Sequence, residues 1–106
     1  MDLMREPGWR EIVKALYEDQ GDLAVPDEFE IDVDSWNAML APYGATLAQL
    51  GGYVATLSLE DLQALAWSDL HDECEGGGAR LIAAAGDLGP GLHFAVDEIY
   101  MTVAGG

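Results

Sequence analysis

The chain has 106 residues, half of them hydrophobic, and its formal net charge at pH 7 is −16. This length suits a single modest core, so we expect residues 1–106 to form one acidic domain. The hydrophobic share argues against wholesale disorder, and so negative a surface disfavours nucleic acid and anionic membranes as direct partners. It favours partners with a basic surface.

The first ten residues, MDLMREPGWR, lack the basic start and apolar run of a signal peptide, and the single Cys74 cannot form an intrachain disulfide. We therefore expect a cytoplasmic protein. Residues 35–59 carry no charge. A membrane span is one interpretation of this run, but prolines and glycines interrupt it and no positive flank orients it. Two short buried helices, 35–42 and 45–57, are the preferred prediction.

The negative charge is concentrated in the middle of the chain. Residues 15–79 contain fourteen acidic residues and no lysine or arginine, whereas residues 1–14 carry three of each sign. A salt-adapted, halophile-like coat should be acidic throughout. The clustering therefore favours a binding surface, with a merely solvating coat as the alternative.

Two segments early in the chain have clear periodicity. Residues 7–20 read as an amphipathic helix, and the side chains expected in the core are Trp9, Ile12, Val13, Leu16 and Tyr17. Residues 28–33 alternate acidic and apolar side chains, which is typical of a half-buried strand with its carboxylates in solvent.

A further helix is predicted over residues 59–74, beginning at Ser58 with Asp61 in a capping-box arrangement. At about 100° per residue, one face is apolar and the other acidic. The apolar face comprises Leu59, Leu62, Ala66, Leu70 and Cys74. The acidic face comprises Asp61, Asp69, Asp72 and Glu75, with Leu65 among them.

The tail of the chain allows more than one interpretation. Residues 79–86 fit a last helix or a buried strand, and residues 92–103 alternate in two halves, which indicates strand, bulge or turn, and strand. A helix opened by Pro90 is the competing interpretation of 92–103. The predicted fold class is α+β, with about four helices packed on a short antiparallel sheet of 28–33 and 92–103; an all-α fold is the alternative.

No pattern in the chain predicts catalysis, a metal or a cofactor. The calcium-loop resemblance from Asp32 fails because Asn37 stands where glycine is needed. Zinc would need His71, Cys74 and His93, whose spacing is wrong. A Cys74–His71 nucleophile pair is disfavoured because Cys74 falls on the apolar face. We therefore expect no enzyme activity and no cofactor.

The acidic side chains form rows that resemble phosphates. Alternate residues of a strand repeat at about 6.6 Å, roughly as phosphates do along a nucleic-acid backbone. We predict partner binding by these rows, with Leu65 and Trp36 adding apolar contact. The predicted partner-binding residues are Glu28, Glu30, Asp32, Asp34, Asp61, Leu65, Asp69, Asp72, Glu73 and Glu75.

In size, acidity and absence of catalytic motifs, the chain resembles the small nucleic-acid-mimicking inhibitors of phages and mobile elements, the anti-CRISPR proteins in particular. This resemblance rests on the charge of residues 15–79 and on no motif. It implies an inhibitor that occupies the basic nucleic-acid-binding surface of a host defence protein such as a Cas effector. The alternatives are an immunity protein or antitoxin that neutralises a basic toxin nuclease, and a structural subunit. Association of two copies remains compatible with each.

Overall fold

The computed structural model describes residues 1–19, 24–68 and 77–105. Within these ranges, short 3-10 turns at Leu3–Arg5, Ala41–Tyr43 and Gly86–Leu88 accompany six α-helices. The helices are α1 (Trp9–Asp19), α2 (Val33–Leu40), α3 (Leu47–Val54), α4 (Leu59–Ser68), α5 (Gly77–Ala84) and α6 (Gly89–Gly105). Helix α4 packs against both α1 and α5, and α6 packs against α5, α1 and α2.

The predicted α+β fold is wrong, and the all-α alternative fits the structure. Across the described ranges, the β-pairing of residues 28–33 is limited to one antiparallel bridge, between Asp2 and Glu30. Around that bridge, Leu3 N donates to Phe29 O at 2.9 Å and Ile31 N donates to Met1 O at 2.8 Å. The β-ladder does not extend beyond this bridge, because the chain enters a 3-10 turn at Leu3 on one side and helix α2 at Val33 on the other.

The second predicted strand, 92–103, lies entirely within α6. Its buried side chains recur at helical rather than alternating spacing, and they are Leu92, Ala95, Val96, Ile99 and Val103. This stripe packs against the neighbouring helices, and packing outweighs the strand preference of β-branched and aromatic residues. Pro90 lies in the first turn of α6, where a missing N–H leaves no helical bond unmade.

The predicted helix over 7–20 is confirmed as α1, with Trp9, Ile12, Val13 and Leu16 buried and Tyr17 half-buried. The uncharged run contains two short helices as predicted, but α2 is Val33–Leu40 rather than 35–42 and α3 is Leu47–Val54 rather than 45–57. Both helices are only partly buried. In the part of the chain that the structure describes, no helix combines the length and apolar character required to cross a membrane.

Hydrogen bonds from polar side chains fix where α2 and α3 begin. The Asp32 carboxylate accepts from the backbone N–H groups of Asp34 and Ser35 at the start of α2. Thr46 and Gln49 form a reciprocal capping box at the start of α3. Each cap satisfies backbone donors that the first helical turn leaves without partners, so these helices begin at defined residues.

Helix α4 begins where the sequence predicts, but its buried face is rotated. Ser58 Oγ accepts from Asp61 N at 3.1 Å, and Leu62 and Ala66 are buried as expected. However, Leu65 is fully buried while Leu59 is 54% exposed. Because α1 and α5 both pack against α4, its buried arc widens to include Leu65. The predicted positions of Leu70 and Cys74 lie outside the described residues.

Candidate functional site

The predicted alternation of acidic and apolar side chains between residues 28 and 34 is present. Glu28, Glu30, Asp32 and Asp34 are exposed, while Phe29 is only 8% exposed and joins the core. The segment remains extended up to Asp32 and then enters α2. The alternation prediction was therefore correct for side-chain direction, although the segment is not a strand of a sheet.

Three of these acidic residues line the same groove as a fourth carboxylate, which comes from the far end of the chain. Glu28, Glu30 and Asp32 line a surface groove of about 500 Å³, and Glu98 of α6 lines it as well. Among the described residues, no lysine or arginine lines the groove. We call it the acidic groove. It concentrates negative charge because carboxylates from two distant segments surround one concave surface.

Aromatic and thioether side chains complete the acidic groove. Tyr17 of α1, Phe29, and Trp36 and Met39 of α2 line it together with the carboxylates. Trp36 and Phe29 are 9% and 8% exposed, whereas Met39 is 37% exposed. Aromatic faces attract cations, and thioethers adapt to irregular partners. The groove can therefore receive a side chain that has an apolar stem and a cationic end.

Two of the groove carboxylates also make contacts within the chain. Glu30 Oε2 accepts from the Met1 ammonium at 3.1 Å, so its charge is partly neutralised. Asp32 accepts from Ser35 Oγ at 3.0 Å in addition to capping α2. The pKa of the Asp32 carboxyl is lowered, first by the Ser35 hydroxyl and then by the backbone N–H groups of the first turn. A general acid at neutral pH needs a raised pKa, so this carboxyl holds charge rather than donating a proton.

The Asp2 carboxylate adds to the main-chain hydrogen bonds that attach the acidic wall of the groove to the N-terminal segment. Asp2 Oδ1 accepts from the backbone N–H of Phe29 and from that of Met4, each at 2.9 Å. The pKa of Asp2 is lowered, with the Phe29 N–H as the largest cause. Residues 28–31 therefore follow a path that main-chain hydrogen bonds define.

Of the acidic row predicted on α4, the described member, Asp61, does not line the groove. Asp61 Oδ1 lies 3.7 Å from Arg80 Nη2, so this carboxylate has a cationic neighbour within the chain. Leu65 is fully buried and cannot contact a partner, which corrects its assignment as a binding residue. The other members of that row, Asp69, Asp72, Glu73 and Glu75, lie outside the described residues.

Seven residues that line the groove were not predicted as binding residues, namely Tyr17, Phe29, Ile31, Ser35, Met39, Glu98 and Thr102. Tyr17 was predicted to lie in the core, and Glu98 falls within the segment 92–103 that was predicted as strand, bulge or turn, and strand. The apolar residues of 92–103 that are buried recur at helical spacing. That spacing was the signal that could have predicted a helix here, with Glu98 beside α2. Among the described residues, no three histidine, cysteine or acidic side chains are grouped so as to hold a metal ion.

No protein-family model, no curated protein and no solved structure matches this chain.

Proposed function

We propose that this protein neutralises a basic partner protein by covering its cationic surface, in the manner of an immunity protein or antitoxin that covers a toxin nuclease. It acts by binding rather than by catalysis. The observation that carries the proposal is the acidic groove, where four carboxylates surround aromatic side chains and where, among described residues, no lysine or arginine is present.

The groove suits a lysine or arginine side chain of the partner. Its cationic end would contact Glu28 and Glu98, while its aliphatic stem would cover Met39, the exposed apolar side chain of the groove. Charge complementarity of this kind accelerates encounter and selects basic partners. The desolvated apolar contact supplies affinity that exposed charges alone do not provide.

A nucleic-acid mimic is the second candidate, favoured by the exposure of all four acidic side chains from Glu28 to Asp34. Two observations weigh against a regular phosphate-like row. Glu30 is paired with the Met1 ammonium, and Asp32 is held at the start of α2. A groove that grips individual cationic side chains therefore has more support than an extended row of phosphate substitutes.

The test compares two isosteric double variants that remove equal charge. Glu28→Gln with Glu98→Gln alters the acidic groove, and Glu60→Gln with Asp87→Asn removes two exposed carboxylates elsewhere. Partners captured from host lysate at low salt are identified, and the affinity of each purified partner is measured. We expect the groove variant to bind at least about tenfold more weakly, about 1.4 kcal/mol, with the control near wild type. Equal loss in both variants would mean that net charge alone attracts the partner.

A competition experiment separates the two candidates. Duplex DNA is added to the complex with the identified partner. Displacement by DNA would favour the mimic, whose carboxylates must occupy the phosphate-binding site itself, whereas the immunity-type protein would hold cationic side chains beside that site. A complex that retains the protein while DNA is bound favours the immunity-type function. Capture of only neutral or acidic partners would contradict both.

A further inference from the structure

A second concave site lies on the other side of α2, away from the acidic groove. It is a cavity of about 360 Å³ between the start of α1, α2 and α3. Its wall is mostly apolar or small, with Val33, Leu47, Ala48, Gly51 and Gly52 among the lining residues. This volume lies within the range of small-molecule sites, which are typically apolar with few polar groups.

A buried donor without a partner marks this cavity. Trp9 lines it and is 1% exposed, yet its indole Nε1–H is a buried polar group with no hydrogen-bond acceptor in the described structure. Buried donors are nearly always paired, so an orphaned one requires an explanation. An acceptor oxygen on a bound molecule would supply the missing partner.

Gly51 leaves space beside that donor. A Cβ at Gly51 would lie 3.4 Å from Trp9 Nε1, and apart from its own helix backbone and chain neighbours it would meet no other atom within 4 Å. Because Gly51 lines the cavity and has no side chain, residue 51 does not separate the indole edge from the cavity. Any side chain at position 51 would occupy the same space, which explains why a residue without one suits the site.

The remaining polar groups restrict the charge of the ligand. Asn37 Oδ1 accepts from Leu47 N at 2.8 Å, which leaves the Asn37 side-chain N–H groups as further donors toward an oxygen. The Glu6 carboxylate also lines the cavity, and no lysine or arginine does so among the described residues. Met1 also lines the cavity, but its ammonium is paired with Glu30 at 3.1 Å. An anion would be repelled here by Glu6 and by the overall charge of −16.

We propose that this cavity binds a small neutral molecule, mostly apolar, whose carbonyl oxygen accepts the hydrogen bond of Trp9 Nε1–H. The site is separate from the acidic groove, so this proposal does not depend on the proposed function. It gives the protein a ligand-binding site in addition to its partner-binding surface.

The test follows the indole N–H resonances by ¹H–¹⁵N NMR during titration with acetophenone and with benzamide. Trp9→Phe identifies the Trp9 signal among those of the three tryptophans. α-Methylstyrene is the matched control probe, because it has the shape of acetophenone but no oxygen. We expect the Trp9 signal to move downfield with at least one carbonyl probe, and binding to be about tenfold weaker with α-methylstyrene.

Two glycine variants complete the experiment. Gly51→Ala places a methyl group beside Nε1 and keeps a helix-favouring residue in α3, so it should fold and should weaken probe binding at least tenfold. Gly105→Ala makes the same change at the end of α6, away from the cavity, and should bind as wild type does. The proposal is overturned if neither carbonyl probe moves the Trp9 signal. Equal binding of α-methylstyrene, or unchanged binding by Gly51→Ala, would also overturn it.

Discussion

Leu59 and Leu65 belong to the same helix and lie in opposite environments. Leu65 has no exposed surface, whereas Leu59 is 54% exposed. Burial rather than residue type decides what each contributes, because only a side chain removed from water gains hydrophobic free energy. The two leucines therefore form a matched pair for separating stability from binding.

Leu65→Ala should lower the free energy of unfolding by about 2–5 kcal/mol, because it leaves a cavity where α4 packs against its neighbours. Leu59→Ala should change it by less than about 0.5 kcal/mol. Urea denaturation measures both values. At a temperature where both variants are folded, partner affinity should be unchanged. Normal stability with weakened binding in Leu65→Ala would restore Leu65 as a contact residue.

The carboxylates of the acidic groove illustrate the limit of residue-level reasoning. Alternation along the sequence was sufficient to place Glu28, Glu30 and Asp32 in solvent, since side-chain direction in an extended segment is a local property. The addition of Glu98 could not be predicted this way. Its contribution depends on where α6 packs, and a period-two interpretation of 92–103 concealed the helix that carries it.

At the scale of elements, the sequence was most informative where periodicity and end signals agreed. Helix α1 has both a helical apolar stripe and Pro7 just before it, and the Ser58 cap correctly placed the start of α4. The strand prediction for residues 92–103 was wrong because, over short windows, their apolar residues fit both the two-residue period of a strand and the 3.6-residue period of a helix. Packing of α6 against α5, α1 and α2 favours the helical period, which agrees with Pro90 in its first turn.

Asp32 connects the start of α2 with the acidic groove, and its charge should give α2 a pH dependence. Its pKa in the folded protein is below the ordinary value of 3.8, so folding favours the ionised form. The stabilising contribution is therefore complete above pH 3.8 and is lost as pH falls through the lowered value. Asp32→Asn keeps an acceptor for the cap but cannot titrate.

We expect the difference in free energy of unfolding between wild type and Asp32→Asn to be constant above about pH 5 and to decrease at lower pH. Thermal unfolding at several pH values between about 2 and 6 measures this difference. Ser35→Ala removes the largest cause of the lowered pKa, so it should move the loss toward higher pH. A difference that persists unchanged to the lowest pH would contradict the prediction.

At the scale of the whole molecule, twenty acidic residues face four basic ones, and the resulting repulsion opposes folding. The ion pairs that the structure describes include Arg10 with Glu11 and Arg80 with Asp61, and they lie at the surface. Such pairs contribute little to stability. The protein therefore retains a large negative field, which the proposed function would use to attract a basic partner.

Salt should affect stability and binding in opposite directions. Raising NaCl from about 0.05 to about 1 M shortens the Debye length to about 3 Å and screens the repulsion within the folded chain. We expect Tm to rise by about 4–8 °C, the shift that about 1 kcal/mol produces in a domain of this size. Partner affinity should fall over the same range, and calorimetry with a binding titration measures both.

The matched control combines the groove and distant substitutions, Glu28→Gln, Glu98→Gln, Glu60→Gln and Asp87→Asn. With four fewer negative charges, this variant should gain less thermal stability from salt than wild type does. An equal gain would indicate that salt acts through apolar burial rather than through screening. Partner binding that survives the highest salt would favour a hydrophobic subunit interface over the acidic groove.

The hydrogen bonds of Asp2 have a consequence for how specificity can evolve or be redesigned. Asp2 Oδ1 and the main-chain hydrogen bonds around it hold the backbone of residues 29–31, so the route of this segment does not depend on the side chain of Glu28. Glu28 can therefore be replaced while the helical scaffold stays intact, whereas replacing Glu30 also removes its ion pair with the Met1 ammonium. Under the proposed function, variants that differ in charge or shape at position 28 would present different surfaces to a partner on one unchanged framework.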